Sequence, residues 1–264
     1  MHPPRAAVPP VCPEIAGVKC TAVEISGSDG VRLRGWFFEP GVVRNGGAVI
    51  ALHGIAASRV QTTGLARLFL ASGYSVLTPD LRGHGESGGI ASYGVIEADD
   101  VHRWADWVLR SPAISRLYGM GGSLGGSVIL QSLDAEPRFR AVIAESAYSD
   151  FPSIAQERVA RSLPAGAEWL AGPVVWSGLS WTRWRYGVDL RRTSSTDAVR
   201  RTRVPVLLIH GLADDRTSPE NSRRIAAANH SAALWLVPGA GHTGVWATSP
   251  REFESRVPGW FAAH

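Results

Sequence analysis

The sequence predicts an α/β fold, a mostly parallel central sheet with helices on both faces. Three observations carry the prediction. Short apolar runs alternate with helix-compatible segments along the chain, the order that builds strand–helix–strand units. The notable polar residues fall directly after those runs, at His53, Asp80, Ser123, Glu145, Asp214 and His242. Sheets of this kind bind ligands at the carboxyl ends of their strands. Finally, one run leads into Gly121-Gly122-Ser123-Leu124-Gly125 and then a helical stretch, the strand–turn–helix context that presents a serine.

Taken in order, residues 1–20 read as a proline-rich tail, with Pro3, Pro4, Pro9, Pro10 and Pro13. The tail lacks the apolar core and cleavage site of a secretory signal. A main domain is expected over 21–264. Thr21–Ser26 alternates apolar and polar residues, Ser28-Asp29-Gly30 is a turn, and Val31–Phe38 alternates again. The pair reads as an antiparallel hairpin at a sheet edge. Pro40–Gly47 is a loop. Ala48–Leu52 is apolar throughout, as a strand buried on both faces requires.

Helical periodicity follows at Leu65–Leu70, a strand at Tyr74–Thr78, and a helix at Glu97–Leu109 with Val101, Trp104, Ala105 and Val108 on one face. The Ser123 strand and helix come next, then Ala141–Ala144. Residues 147–200 break the rhythm with Trp169, Trp176, Trp181 and Trp184 among glycines and prolines. This stretch reads as a small helical cap inserted between strands. Its tryptophans are expected to fill the cap–sheet interface or line an apolar pocket. Val204–Ile209 resumes the strands, Pro219–Ala228 is a helix opened by proline, and Leu234–Val237 is the last strand. A closing helix at Arg251–Ala262 is interrupted in expectation by Pro258.

Composition narrows the function. The 264 residues are 45% apolar and 19% charged, enough to bury a sizeable core. The formal charge is +4 and Lys19 is the only lysine. The arginines are scattered in pairs with no long basic run, which argues against nucleic-acid binding. Cys12 and Cys20 are the only cysteines; a bridge between them would close a short terminal loop, but free thiols are the favoured reading, because nothing else suggests an oxidising compartment. No run of about 18 apolar residues is present, so no membrane span and a cytoplasmic location are expected. Gly83–Gly88 fits Gly-x-Gly-x-x-Gly but does not open a helix directly, so a dinucleotide site is not expected. The eight histidines show no metal-ligand spacing, and no metal or cofactor is expected.

The chemistry gathers around Ser123. A serine hydroxyl is a poor nucleophile until a base takes its proton. His242, in the glycine-flanked loop Gly239-Ala240-Gly241-His242, is the candidate base. An acid must hold its ring and stabilise its cation. Asp214 is the candidate, with Asp215 a competitor and Glu145, also at a strand end, a more distant one. A developing oxyanion needs backbone N–H donors. Leu124, after the serine at a helix N-terminus, supplies one, and Ile55, in the loop after Ala48–Leu52, is chosen as the second.

With these residues in place, the chain resembles serine hydrolases of the α/β-hydrolase superfamily, esterase/lipase type. The resemblance rests on His53-Gly54, on Asp80-Leu81-Arg82-Gly83-His84-Gly85-Glu86-Ser87, on Gly121–Gly125, and on His210-Gly211-x-x-Asp214 with Gly241-His242. These motifs span residues 48–246. The resemblance implies the α/β-hydrolase fold, the acid at Asp214 four residues after His210, and structural turn roles for His53 and His84. It implies a cofactor-free hydrolase of carboxylic esters acting through Ser123, Asp214 and His242, with Ile55 and Leu124 as the oxyanion hole. The expected partner is a small-molecule ester rather than nucleic acid, with no stable membrane insertion, on a monomer or homodimer. A thioesterase, a peptidase-like amidase, or a ligand receptor on the same scaffold are the alternatives.

Overall fold

The six residues of β3 (Gly47–Leu52) are all buried, and the sheet is built outward from them. The computed structural model describes residues 1–41 and 44–264; the loop expected at Pro40–Gly47 therefore includes Val42 and Val43, which lie outside the described residues. The remaining strands are β1 (Val18–Ser26), β2 (Arg32–Pro40), β4 (Ser75–Pro79), β5 (Arg116–Gly122), β6 (Phe139–Glu145), β7 (Val206–Gly211) and β8 (Ala233–Val237). Their spatial order is β1-β2-β4-β3-β5-β6-β7-β8. β1 with β2 and β2 with β4 run antiparallel; every other neighbouring pair is parallel. Unbroken apolar sequence sits in the central parallel strands, and alternating sequence at the β1 edge, because β1 has a wet face.

Nine α-helices occur among the described residues: α1 (Thr63–Ala71), α2 (Glu97–Leu109), α3 (Leu124–Gln131), α4 (Phe151–Ser162), α5 (Ala171–Tyr186), α6 (Ser195–Arg201), α7 (Glu220–Ala227), α8 (Val245–Thr248) and α9 (Pro250–Ala262). On one face, Val49, Ala51 and Met120 pack against Phe69 of α1 and Phe253, Val257 and Phe261 of α9. On the other, Ile50, Leu52 and Leu77 pack against Trp104 of α2, Val128 of α3 and Ile225 of α7. Successive residues of β3 thus serve opposite cores, as the two-residue strand period dictates.

Several expectations are corrected. α9 continues through Pro258. Proline removes one helical hydrogen bond, and the buried stripe Phe253–Val257–Phe261 holds the helix across the gap. β1 begins at Val18, three residues before the alternation read from Thr21. Cys12 and Cys20 are bridged, with Cα atoms 6.0 Å apart, rather than free. The chain turns at Gly17, φ 71°, and lays Val8, Cys12 and Ile15 on the same apolar face that Cys20 joins. The tail is fixed further on, where Arg5 donates to the carbonyls of Gly85 at 2.9 Å and Ser87 at 2.7 Å.

The stretch between β6 and β7 carries α4, α5 and α6. Its own small core is Val175, Leu179, Val188 and Leu190, packed by Phe151 and Tyr93. The four tryptophans are not in that core. Trp169, Trp176, Trp181 and Trp184 are 72%, 53%, 53% and 80% exposed. α5 buries Ala171, Val175, Leu179 and Thr182 instead, spaced i, i+4, i+8 and i+11 on one helix face. Trp176, Trp181 and Trp184 sit at other phases of the helix, and Trp169 lies in the turn before it.

Candidate active site

Ser123 joins β5 to α3 with φ 55° and ψ −119°. That is a left-handed backbone on a residue with a Cβ, costing on the order of 1–3 kcal/mol. Its N–H donates to the Glu145 carbonyl at 2.8 Å, and its carbonyl accepts from the Ser127 N–H at 3.0 Å. The sharp turn is possible because strand and helix can touch. A Cβ on Gly121 would run into the backbone of Gly125, and one on Gly125 into the Leu52 carbonyl. Both positions are closed to any residue but glycine.

The Ser123 Oγ lies 2.9 Å from His242 Nε2. His242 Nδ1 lies 2.8 Å from Asp214 Oδ2 and 3.1 Å from Oδ1. The structure thus brings together three residues separated by as many as 119 positions. Asp215 does not join them; its side chain is exposed and its carbonyl accepts a hydrogen bond from Arg161. Glu145 does not reach the ring as an acid either. Its Oε1 accepts the Val245 N–H at 3.1 Å, and burial pushes its carboxyl above the usual range, against that hydrogen bond and the nearby histidines.

Asp214 is tied down from several sides. Its Oδ1 accepts the N–H groups of Arg216 and Thr217, each at 2.9 Å. Its Oδ2 lies 3.2 Å from His210 Nε2. Burial opposes its charge, yet the hydrogen bonds from His210, His242 and Thr217 together hold its pKa far below the usual carboxylate value. It is held as an anion at neutral pH. His210 was legible only as the start of the His-Gly motif; its contact with Asp214 depends on Ser222 Oγ, 2.7 Å from Nδ1, which fixes the ring from behind.

The loop of His242 is held to the end of β6. Ser146 Oγ accepts the Thr243 N–H at 3.1 Å, and Glu145 holds Val245 as described. The loops after β7 and β8 are laced together as well, Ala213 N–H donating to the Ala240 carbonyl at 2.9 Å. Nothing in the sequence singled out Ser146, because its partner is 97 residues away.

Leu124 opens α3, and neither its N–H nor that of Ile55 finds a protein acceptor among the described residues. The Ile55 loop passes close to the serine: a Cβ on Gly54 would lie 3.6 Å from Ser123 Cβ. Gln61 holds the loop, its Oε1 accepting the Gly54 N–H at 2.8 Å. His53 holds it from the other side. Its Nε2 accepts the Leu81 N–H at 3.0 Å, which leaves Nδ1–H to donate to the Gly54 carbonyl at 2.7 Å. Burial pushes the His53 pKa down to about 3, outweighing the Gly54 hydrogen bond, so the ring is a neutral structural donor. His84 stacks edge-on against it at 5.2 Å and contacts the Arg82 carbonyl at 3.0 Å. Asp80 anchors the same corner, accepting the Arg59 and Glu86 N–H groups.

A cavity of about 210 Å³ opens beside Ser123 and His242. Leu65, Met120, Trp246 and Phe253 form its apolar walls and Arg216 its rim. Trp246 stacks on Phe253 at 5.3 Å. The cavity runs toward α1 and α8, away from the tryptophans of α5.

Comparison with known proteins agrees with this architecture. The sequence profile of the alpha/beta hydrolase family matches residues 49–256. Protein Rv2307c of Mycobacterium tuberculosis is 29% identical over 223 residues, 83% of this chain and 71% of that one. Protein YfhR of Escherichia coli is 27% identical over 229 residues, 84% of this chain and 72% of that one. Among solved structures, the Pyrococcus furiosus esterase Pf2001 is similar over 100% of this chain and 99% of its own, with a TM-score of 0.79 at 24% identity. Acetyl xylan esterase 1 from Thermoanaerobacterium covers 92% and 85%, with a TM-score of 0.70 at 18% identity. At such identities the structural likeness speaks to fold. No helix among the described residues is long and apolar enough to cross a membrane.

Proposed function

The chain belongs to the alpha/beta hydrolase family, and we propose that it hydrolyses carboxylic esters through an acyl-enzyme on Ser123. One observation carries the reading: Ser123 Oγ, His242 and Asp214 form a continuous hydrogen-bonded line of 2.9 Å and 2.8 Å contacts. As Oγ attacks the ester carbonyl, its proton passes to His242 Nε2. Asp214 holds the ring through Nδ1–H and offsets the positive charge that forms. The carbonyl oxygen, now an anion, takes hydrogen bonds from the Leu124 and Ile55 N–H groups, with the N-terminus of α3 adding its dipole. His242 then returns the proton to the departing alcohol. Water repeats the sequence in reverse, His242 taking its proton, and releases the acid from Ser123. No step calls on a cofactor or metal.

The cavity limits the substrate. At about 210 Å³ it is smaller than the roughly 300–1,000 Å³ typical of drug-sized ligands. Short acyl groups fit between Leu65 and Trp246; long chains do not. The test is steady-state hydrolysis of p-nitrophenyl esters of increasing acyl length, with Ser123→Ala alongside. We expect saturable turnover, best with the shortest acyl chains, and a loss on the order of 10⁴- to 10⁶-fold in kcat for the variant. Turnover that survives in Ser123→Ala would overturn the serine mechanism. A rising preference for long chains would overturn the reading of the cavity.

A further inference from the structure

The exposed tryptophans of the β6–β7 insertion do nothing in this chemistry. Trp169, Trp176, Trp181 and Trp184 are the only exposed Trp, Phe or Tyr side chains among the described residues, and Val174 beside them is 51% exposed. They crowd into 16 positions of a chain with ten tryptophans. Large apolar surface is expensive to leave in water, and a contiguous apolar patch on a soluble domain marks an interaction surface.

The helix arrangement indicates what covers it. With Ala171, Val175, Leu179 and Thr182 turned inward, Trp184 falls on the opposite side of α5, with Val174 and Trp181 on one flank, at about 100° per residue. Trp176 lies on the other flank, and the Arg191 guanidinium sits over its ring at 5.5 Å. Arg183 and Arg185 take the two edges of the exposed arc. Between residues 161 and 192 there are five arginines against Glu168 and Asp189, a formal +3 out of +4 for the whole chain. Asp189 pairs with Arg191 at 2.7 Å and Arg183 at 3.6 Å, while Arg185, over the Tyr186 ring at 5.1 Å, has no carboxylate partner among the described residues.

We propose that α5 docks the protein on an anionic lipid surface. The helix lies in the interface plane with its tryptophans at headgroup depth and its arginines reaching the lipid phosphates. Tryptophan is suited to that boundary, because its ring is apolar and its N–H polar. Arginine at the edge of the apolar arc keeps its charge wet while its stem lies on the interface. A second copy of the chain is a poorer occupant: two-fold pairing of this face would set Arg183 and Arg185 against their own counterparts. The docking stands apart from the chemistry of Ser123, and loss of either leaves the other testable.

The test is flotation of the full chain with vesicles of phosphatidylcholine alone or mixed with phosphatidylglycerol, with tryptophan fluorescence as second readout. We expect binding to anionic vesicles at least about tenfold tighter than to neutral ones, a blue shift on binding, and weakening as salt rises from about 0.05 to 0.5 M. The combined Trp176→Ser, Trp181→Ser and Trp184→Ser variant should bind at least about tenfold more weakly with unchanged circular dichroism. Arg183→Gln with Arg185→Gln should erase most of the preference for anionic lipid. Absence of vesicle binding, or binding that the tryptophan substitutions leave intact, would overturn the proposal. So would a dimer in solution that those substitutions dissociate while vesicles fail to bind.

Discussion

Around Ser123 nearly every polar group has a partner, whereas on α5 the largest side chains are more than half exposed to solvent. The two regions are built from the same chain under opposite constraints. At the site, Asp214 alone takes part in contacts with His210, His242, Arg216 and Thr217, so its charge and position are over-determined. On α5 the fold uses only the inward stripe of Val175 and Leu179, and the outward residues are free to vary without cost to the core. A network in which each member holds its neighbour is sensitive to one atom. An exposed helix face is sensitive only to whatever it docks upon.

That contrast makes ordered predictions. Asp214→Asn replaces the oxygen that receives the Nδ1–H of His242, and kcat/KM should fall by about 10⁴-fold; Asp215→Asn, outside the network, should stay within about twofold. Equal effects at the two positions would erase the distinction between site and surroundings. Gly125→Ala places a methyl against the Leu52 carbonyl, where only backbone can yield. Stability measured by urea unfolding should drop by roughly 3 kcal/mol or more, and serine geometry with it.

A third prediction concerns pH. The pKa of His53 is lowered by burial from the ordinary 6.5 to about 3. Below 6.5 the unfolded chain takes up a proton that the folded ring refuses, so stability falls as pH drops from 6.5 toward 3 and is full above that range. Urea unfolding at pH 7.5 and 5 should therefore show a loss that His53→Gln makes shallower. An unchanged slope would mean that the ring is not the buried neutral donor described. Smallest of all, Trp181→Ser with Trp184→Ser should leave Tm within about 2 °C, since neither side chain contributes to a core. A large fall in Tm would return those residues to the packing role that their composition suggested.

The same contrast explains what the sequence made legible. The turn at Ser123 demands glycines at fixed offsets. Unbroken apolar runs such as Ala48–Leu52 mark strands covered on both faces, so sheet and site could be read together. The acid of the line was less determined by residue type alone, because Asp214 and Asp215 are adjacent and chemically alike; only the fold of the loop after β7 turns one of them to His242. Ser146, Gln61 and His210 support the site through partners distant in sequence or through backbone groups, which leave no local pattern. The tryptophans were misjudged because tryptophan is common in interiors, and the competing inward stripe of α5 is made of smaller residues with a weaker signal. The Cys12–Cys20 bridge was the less favoured reading because a count of two cysteines carries no geometry until Gly17 turns the tail back.

The most direct measurement is mass spectrometry of the protein after reaction with a p-nitrophenyl alkylphosphonate. This reagent leaves a stable tetrahedral adduct on an activated serine and resembles the intermediate of ester attack. The account predicts one phosphonyl group per chain, on the peptide that contains Ser123, with esterase activity lost in proportion and no adduct in Ser123→Ala. Adducts on another residue, or full activity in protein labelled at Ser123, would contradict it.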